Sequence, residues 1–252
     1  MSLLTLARDL QRRKGRERRS LFLAEGVRSV EELIRSDLAV RGVLVTPQLL
    51  ESARGSALEA SISARGITLE QVSERDLATA SDTDSPQGIL GIAETPEHDL
   101  MSMSTDGITR LVVLDGIQDP GNAGTILRTA AALGARAVIA LTGTVDLWNP
   151  KVVRGAMGVH FRFPVAHAAH EELFGLLDRD GIALWGAAAD GEAIGDAVAP
   201  ERLAIALGNE GAGLGDALRE RCDRLVAIPI DPEVESLNVA VAAGIILHQV
   251  RG

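Results

Sequence analysis

The stretch LVVLDGIQDPGNAGTILR (111–128) decides how this 252-residue chain is read. The apolar run Leu111–Leu114 is followed by Asp115-Gly116, a turn marked by Pro120 and Gly121, and a helical pattern that begins near Asn122. A short, continuous apolar run giving way to a helix fits a strand buried on both faces of a parallel sheet. Working outward, similar runs stand at Ala137–Leu141, Ala183–Ala187, Leu203–Leu207 and Leu225–Ile228, and a further strand is expected at Phe161–Val165. Helical stretches separate them, so 110–252 is expected to form one parallel α/β domain. Ligands of such sheets sit beyond the carboxyl ends of the strands, which singles out the loops after Leu114, Leu207 and Ile228.

Upstream, residues 1–94 read as a smaller α/β unit. A basic helix over about 3–14 leads to Phe22-Leu23-Ala24-Glu25-Gly26 and a helix ending near Arg35. Strands are expected at Val43–Val45, near Ile67–Leu69 and at Gly88–Ile92, with helical stretches over about 48–64. The segment TPEHDLMSMSTDGIT (95–109) lacks periodicity and reads as a linker.

Composition excludes several classes. With 46% apolar and 24% charged residues the chain can fill a core, and no run approaches the roughly 18 apolar residues of a membrane span. The first arginines follow the first apolar stretch, the reverse of a secretory signal. The single cysteine, Cys222, leaves no internal disulfide and no cysteine-rich zinc site, and the five histidines form no recognisable ligand cluster; no metal is expected. These features point to the cytoplasm. The net charge of −10 argues against a polyanionic partner, yet Arg8, Arg12, Arg13, Lys14, Arg16, Arg18 and Arg19 face only Asp9 and Glu17 within 8–19. Phosphate binding depends on local charge, so this stretch is a candidate contact; the plainer account is a solvated helix face.

Each of the three loops carries unusual polar residues. The first holds Asn122 and Arg128, six apart and so not obliged to point the same way, with a capping Asn and a surface Arg as the plainer account. The second, IALGNEGAGLG (205–215), is glycine-rich but matches neither the dinucleotide fingerprint G-x-G-x-x-G nor the phosphate-loop Gly-Lys-Ser/Thr. Glu210 in its middle would repel a pyrophosphate and tolerate a cation such as a sulfonium. The third, IPIDPEVESLN (228–238), opens a helix apolar on nearly every side, for which Ser236 is the expected N-cap. Asn238 within that helix would be costly without a partner.

These loops resemble motifs 1, 2 and 3 of the SpoU (TrmH-like) RNA 2′-O-ribose methyltransferases of the SPOUT superfamily. The matching stretches are DPGNAGTILRTAAALGA (119–135), IALGNEGAGL (205–214) and IPIDPEVESLNVAVAAGI (228–245), and NPKVVRGAMG (149–158) resembles the segment between motifs 1 and 2. Residues 1–94, with Phe22 and Glu25-Gly26, more loosely resemble the L30e-like substrate-binding domain that many members carry. The resemblance implies an α/β fold: a parallel-sheet SPOUT domain with a deep trefoil knot over 110–252, preceded by a small L30e-like domain and the 95–109 linker.

The resemblance also implies an S-adenosylmethionine-dependent RNA ribose 2′-O-methyltransferase. Leu207, Gly208, Asn209, Gly211, Gly213, Ile228 and Leu237 would hold the cofactor. Arg128, Asn122, Glu210, Ser236 and Asn238 would form the catalytic set, with Arg128 acting on the 2′-hydroxyl. A guanidinium is effectively always protonated, so orienting that hydroxyl and gripping the adjacent phosphate is physically easier for it than abstracting a proton. A homodimer through the knot helices is implied. RNA contact is then expected from Arg12, Arg13, Lys14, Arg16, Arg18 and Arg19, because the segment from Arg110 onward has 12 basic against 18 acidic residues. Ribosomal RNA is expected over transfer RNA, since the extension lies N-terminal and the chain stops after the last helix. The rival readings are a nucleotide-binding oxidoreductase and a catalytically silent RNA-binding protein on the same fold.

Overall fold

The parallel sheet expected from the apolar runs is present. The structure, a computed structural model, describes residues 1–251 and divides into two units, Met1–Pro96 with Asp146–Arg162, and Glu97–Val145 with Phe163–Gly252.

The first unit opens with α1 (Leu3–Leu10) and α2 (Arg13–Arg19) in place of the single helix expected over 3–14. Arg12 is extended between them, and the end of α1 approaches α2 so closely that a Cβ on Gly15 would lie 2.1 Å from Asp9 O. There follow β1 (Leu21–Glu25), α3 (Val27–Arg35), β2 (Val40–Val45), α4 (Pro47–Leu50), α5 (Ala53–Ala64), β3 (Leu69–Gln71), α6 (Glu74–Ala78) and β4 (Ile89–Glu94). The strands lie in the order β1-β4-β2-β3, antiparallel except for β2 with β3. Strand β1 is buried along its whole length and carries Phe22 into the core; β3 starts two residues later than the sequence suggests.

The second unit is built on β5 (Thr109–Asp115), α7 (Pro120–Ala132) and β6 (Ala137–Leu141). The chain then makes α8 (Pro150–Gly155), which belongs to the first unit. It continues with β7 (Val165–Ala168), α9 (His170–Asp180), β8 (Ala183–Ala193), β9 (Arg202–Gly208), α10 (Asp216–Arg221), β10 (Arg224–Ala227) and α11 (Val239–Val250). The strand expected at 161–165 therefore begins where it was to end; Val159–Phe161 is a 3-10 turn. All neighbours in the sheet, ordered β10-β8-β9-β5-β6-β7, are parallel. Leu173, Leu176 and Leu177 give α9 one apolar stripe against Leu111, Val113, Ile139 and Ala206, each leucine worth roughly 2 kcal/mol when fully buried. Helix α11 packs on α7 and β9. Its far end is fixed by Arg110, whose buried guanidinium donates to the carbonyls of Val250 (2.6 Å), Glu201 (2.7 Å) and Thr109 (3.0 Å).

The excursion at 146–162 departs from a continuous domain over 110–252. Its aromatic residues explain where it goes: Phe22 meets Trp148 at 4.6 Å and Phe161 at 5.7 Å between ring centroids. His160 is buried beside Trp148, its Nε2 2.8 Å from Leu147 O, and burial pushes its pKa down to about 4. A neutral ring facing a carbonyl must carry its proton on Nε2. Arg16, only 4% exposed, donates from Nε to Asp146 Oδ2 (2.9 Å) and from Nη1 to Leu10 O (2.9 Å) and Gln11 O (3.0 Å). Arg16 is thus a core residue of this unit and is corrected from the expected RNA contacts: a guanidinium so buried does not reach a polyanion. Arg18 and Arg19 share Asp9, and Arg13 pairs with Glu17.

Candidate functional site

Strand order reverses between β5 and β9: the chain leaves β5 toward β6 and leaves β9 by way of α10 toward β10, at the other edge. In such sheets the ligand crevice lies beyond the carboxyl ends of the strands at the switch point, and it is there that the loops at 115–120 and 208–215 meet. Asp119 caps α7, its Oδ1 accepting the Asn122 N–H at 2.7 Å, and Pro120 occupies the first turn. Asn122 is therefore not the cap, and its side chain is spent elsewhere. Its Nδ2 donates to Glu210 Oε1 (2.9 Å) and its Oδ1 accepts from Asn238 Nδ2 (2.9 Å). Asn238, and not Ser236, caps α11: its Oδ1 accepts from the N–H groups of Ala240 (2.9 Å) and Val241 (3.3 Å). The cap settles the cost of an asparagine at the mouth of an apolar helix.

This chain of bonds runs in one direction. The exposed N–H groups of α11 demand the oxygen of Asn238, which turns its amide nitrogen to Asn122. Asn122 must then present oxygen to Asn238 and nitrogen to Glu210, which has to be an acceptor. Burial raises the Glu210 carboxyl, but hydrogen bonds from Asn122 and from the N–H groups of Glu210, Gln118 and Asp119 outweigh it and hold its pKa below the usual range. Ionised Glu210 thereby ties together three segments that are 88 and 116 residues apart.

The glycine-rich loop is equally constrained. A Cβ on Gly208 would lie 2.2 Å from the Gly213 carbonyl carbon, and Gly213 adopts a left-handed φ of 73°. Asn209 and Gly213 exchange backbone hydrogen bonds at 2.9 Å each. The Asn209 side chain accepts from Gly211 and Ala212 N–H (3.0 Å each) and donates to Gly116 O (2.8 Å). Asp115, buried at the end of β5, accepts the Gly215 N–H at 2.7 Å, and Thr144 bridges Leu114 O (2.8 Å) and Gly116 N (3.0 Å). Asp115, Asp119 and Thr144 were missed as positioning residues. The two carboxylates flank the turn of the opening stretch and could have been suspected; Thr144 gives no sequence signal.

Among the other expected residues, Leu207 is buried in the sheet and offers the crevice only backbone, while Gly208, Ile228 and Leu237 are half-buried and Gly211 and Gly213 exposed. Arg128 lies exposed farther along α7, and Ser236 is exposed in the irregular 228–238 segment. Across 115–122, 208–215 and 228–238 there are six carboxylates and no lysine or arginine. Loops of that net charge disfavour a pyrophosphate and tolerate a cation. Cys222 lies at the end of α10, its thiol pushed up to about 11, mainly by burial.

A parallel sheet whose glycine-rich and acidic loops meet at its switch point defines an α/β fold with a candidate ligand site that lacks the dinucleotide fingerprint. The SpoU rRNA Methylase family model matches residues 109–248, and that of the MRM3-like substrate binding domain matches 5–91. A 23S rRNA (guanosine(2553)-2′-O)-methyltransferase of Bacillus subtilis is 35% identical over 246 residues, covering 97% of this chain and 94% of its own. An AdoMet-bound rRNA methyltransferase from Sinorhizobium meliloti superposes with a TM-score of 0.85 at 29% identity, covering 98% of this chain and 93% of that one. The SpoU methyltransferase AviRb from Streptomyces viridochromogenes, also solved with AdoMet, gives 0.87 at 27% identity, covering 99% and 97%. The chain belongs to the SpoU rRNA methylase family.

Proposed function

We propose that this chain methylates a ribose 2′-hydroxyl of ribosomal RNA, with its catalytic centre at the β5/β9 crevice. It is an S-adenosylmethionine-dependent RNA 2′-O-methyltransferase. The observation that carries the reading is the polarised chain Glu210–Asn122–Asn238, which joins all three motif loops at one point. A catalytically silent binder would have no need of it, and the acidic lining disfavours the oxidoreductase.

Two features fit the cofactor: the loops that meet here carry carboxylates and no lysine or arginine, which suits a sulfonium, and the Gly208–Gly213 turn brings bare backbone to the surface. Backbone of Leu207, Gly208, Asn209, Gly211, Gly213, Ile228 and Leu237 would hold it. When bound, S-adenosylmethionine supplies an electrophilic methyl group. The chain's own task is to align the 2′-oxygen and to stabilise charge as its proton leaves to solvent. Arg128 grips the neighbouring phosphate and orients the hydroxyl. Asn122, Glu210 and Asn238 fix the start of the helix that carries Arg128, and Ser236 contacts the ribose.

The C-terminal path supports a trefoil knot. After β10, at the sheet edge, residues 228–238 return past β8 and β9 to set Asn238 against Asn122 and α11 on α7. Val241 and Ile245 are exposed on α11, 52% and 41%, and supply an apolar face for a homodimer. The first unit acts as an L30e-like RNA-binding domain, aided by Arg12, Lys14 and the paired arginines Arg13, Arg18 and Arg19. Among the described residues no helix is long and apolar enough to cross a membrane, and the cytoplasm is the proposed location. The test is methyl transfer from labelled S-adenosylmethionine to unmodified rRNA and tRNA pools. Label in rRNA is expected. Label confined to tRNA would overturn the choice of RNA, and absence of cofactor binding would overturn the reading itself.

A further inference from the structure

The NPKVVRGAMG segment (149–158) forms α8 and the turn that follows it. It joins the first unit, where its Arg154 and Met157 line a cavity of about 190 Å³ together with Arg28, Ser29, Thr83 and Gln87. The cavity lies at the N-terminus of α3, a helix of 9 residues. Val30 N–H begins the helical ladder on Gly26 O (3.0 Å), and Val27 N–H donates to Gln87 Oε1 (3.0 Å). Between them the N–H groups of Arg28 and Ser29 precede the ladder at the positive end of the helix dipole. Ser29 is only 5% exposed, and its Oγ is buried without a hydrogen-bond partner. A native fold rarely leaves a buried hydroxyl unpaired, and it does so where something external completes it.

The surroundings tell which chemistry is missing. Glu25 is the buried carboxylate at the wall, and its charge is already spent. It accepts from Ser81 Oγ, from Thr83 Oγ1 (2.6 Å), from Asp82 N–H (3.2 Å) and from Arg154 Nη1 (3.2 Å). Asp82 in turn faces Lys151 and Arg154 at 3.9 and 4.0 Å. Arg28 is exposed and forms no salt bridge among the described residues. Met157 holds a left-handed φ of 52°, a conformation that non-glycine residues adopt mainly in turns and ligand clamps. Helix-start N–H groups, an unpartnered hydroxyl and an exposed guanidinium whose only charge partner among the described residues is the more distant Glu31, itself bridged to Arg54, are the elements of an anion site.

We propose that this cavity binds a phosphate group of the RNA substrate, held by the N–H groups of Arg28 and Ser29, the Ser29 hydroxyl and the Arg28 guanidinium. The proposal rests on the RNA-substrate reading above. Ser29→Ala removes only an unpaired hydroxyl; it is expected to weaken binding of an rRNA fragment about threefold while leaving the Tm unchanged or higher. Arg28→Ala is expected to weaken it about tenfold and to lower the salt slope by about 1, with S-adenosylmethionine affinity unaltered in both. The sources of phosphate are separated by following the Arg28 and Ser29 amide signals of the full chain, first in inorganic phosphate at fixed ionic strength and then in the rRNA fragment. Shifts in phosphate alone assign a site for any phosphate, and shifts only in RNA assign a backbone diester. Shifts in neither, with both variants binding RNA as the unaltered protein does, overturn the cavity while leaving the methyltransferase reading intact. Failure of the unaltered protein to bind RNA would overturn the substrate reading and this proposal with it.

Discussion

Two polar regions stand out in the sequence, and they behave in opposite ways in the fold. The basic run at 8–19 is contiguous and dense, yet much of its charge is paired locally: Arg16, buried, on Asp146, and at the surface Arg18 and Arg19 on Asp9, Arg13 on Glu17, Arg8 on Asp76. The polar residues at 122, 210 and 238 are scattered and unremarkable singly, yet they meet in one directed chain of hydrogen bonds. A run of like charge is cheap to build and is easily consumed by local pairing. A convergence of three distant segments on one carboxylate is costly to build, since each loop must be held in place, and so it marks function more reliably.

The comparison can be broken at several points. The largest effect is expected from Arg128→Ala, which should lower methyl transfer by on the order of 10³-fold while S-adenosylmethionine binding, followed calorimetrically, is retained. Loss of cofactor binding would mean that Arg128 belongs to the cofactor pocket. Next comes Asn238→Ala, which removes both the α11 cap and the link to Asn122: about 1 kcal/mol of stability and roughly 10- to 100-fold in turnover are expected to go together. An intact turnover with a lowered Tm would reduce Asn238 to a cap.

In the first unit the expected effects fall on stability. Arg16→Ala should cost about 3 kcal/mol in denaturant unfolding, because it strands Asp146 and two carbonyls, whereas Lys14→Ala should leave the Tm unchanged and weaken RNA binding about twofold. Equal effects from the two would erase the distinction between core and surface charge. His160 supplies a pH test of the same unit. Its folded pKa lies below the unfolded value of about 6.5, so the neutral form stabilises the fold. That contribution is complete above about pH 6.5 and is lost as pH falls toward 4, up to about 3 kcal/mol. A His160→Asn variant should show a flatter Tm profile across that window. The smallest effect is expected at Glu210 near neutrality. Its depressed pKa keeps it ionised, so its contribution is present above the usual carboxylate range and is lost only as pH falls through the lower folded value. Activity should therefore be insensitive to Glu210 titration at pH 6–8, while Glu210→Gln, which keeps an acceptor for Asn122 but turns a donor amide toward the N–H groups of Gln118 and Asp119, should weaken cofactor binding.

Much of this was legible in the residues. The buried parallel strands announced themselves as continuous apolar runs, and Ala137–Leu141 coincides with β6 residue for residue. The motif loops declared their importance through glycine and asparagine at the strand ends. Less visible was anything set by tertiary contact. The excursion at 146–162 is decided by Trp148 and Phe161 finding Phe22, and no local pattern encodes that meeting. The cap of α11 falls on Asn238 because Asn122 needs its amide; by propensity alone Ser236 and Asn238 are equal candidates. The fate of Arg16 depends on Asp146, 130 residues away.

The most direct test of the central claim is the chemical position of the transferred methyl group. Ribosomal RNA labelled by the purified protein and S-adenosylmethionine is digested with alkali, which needs a free 2′-hydroxyl to cleave the chain. The account predicts label in alkali-resistant dinucleotides, and none when Arg128 is replaced by Ala. Label released as ordinary mononucleotides would place the methyl on a base and contradict it.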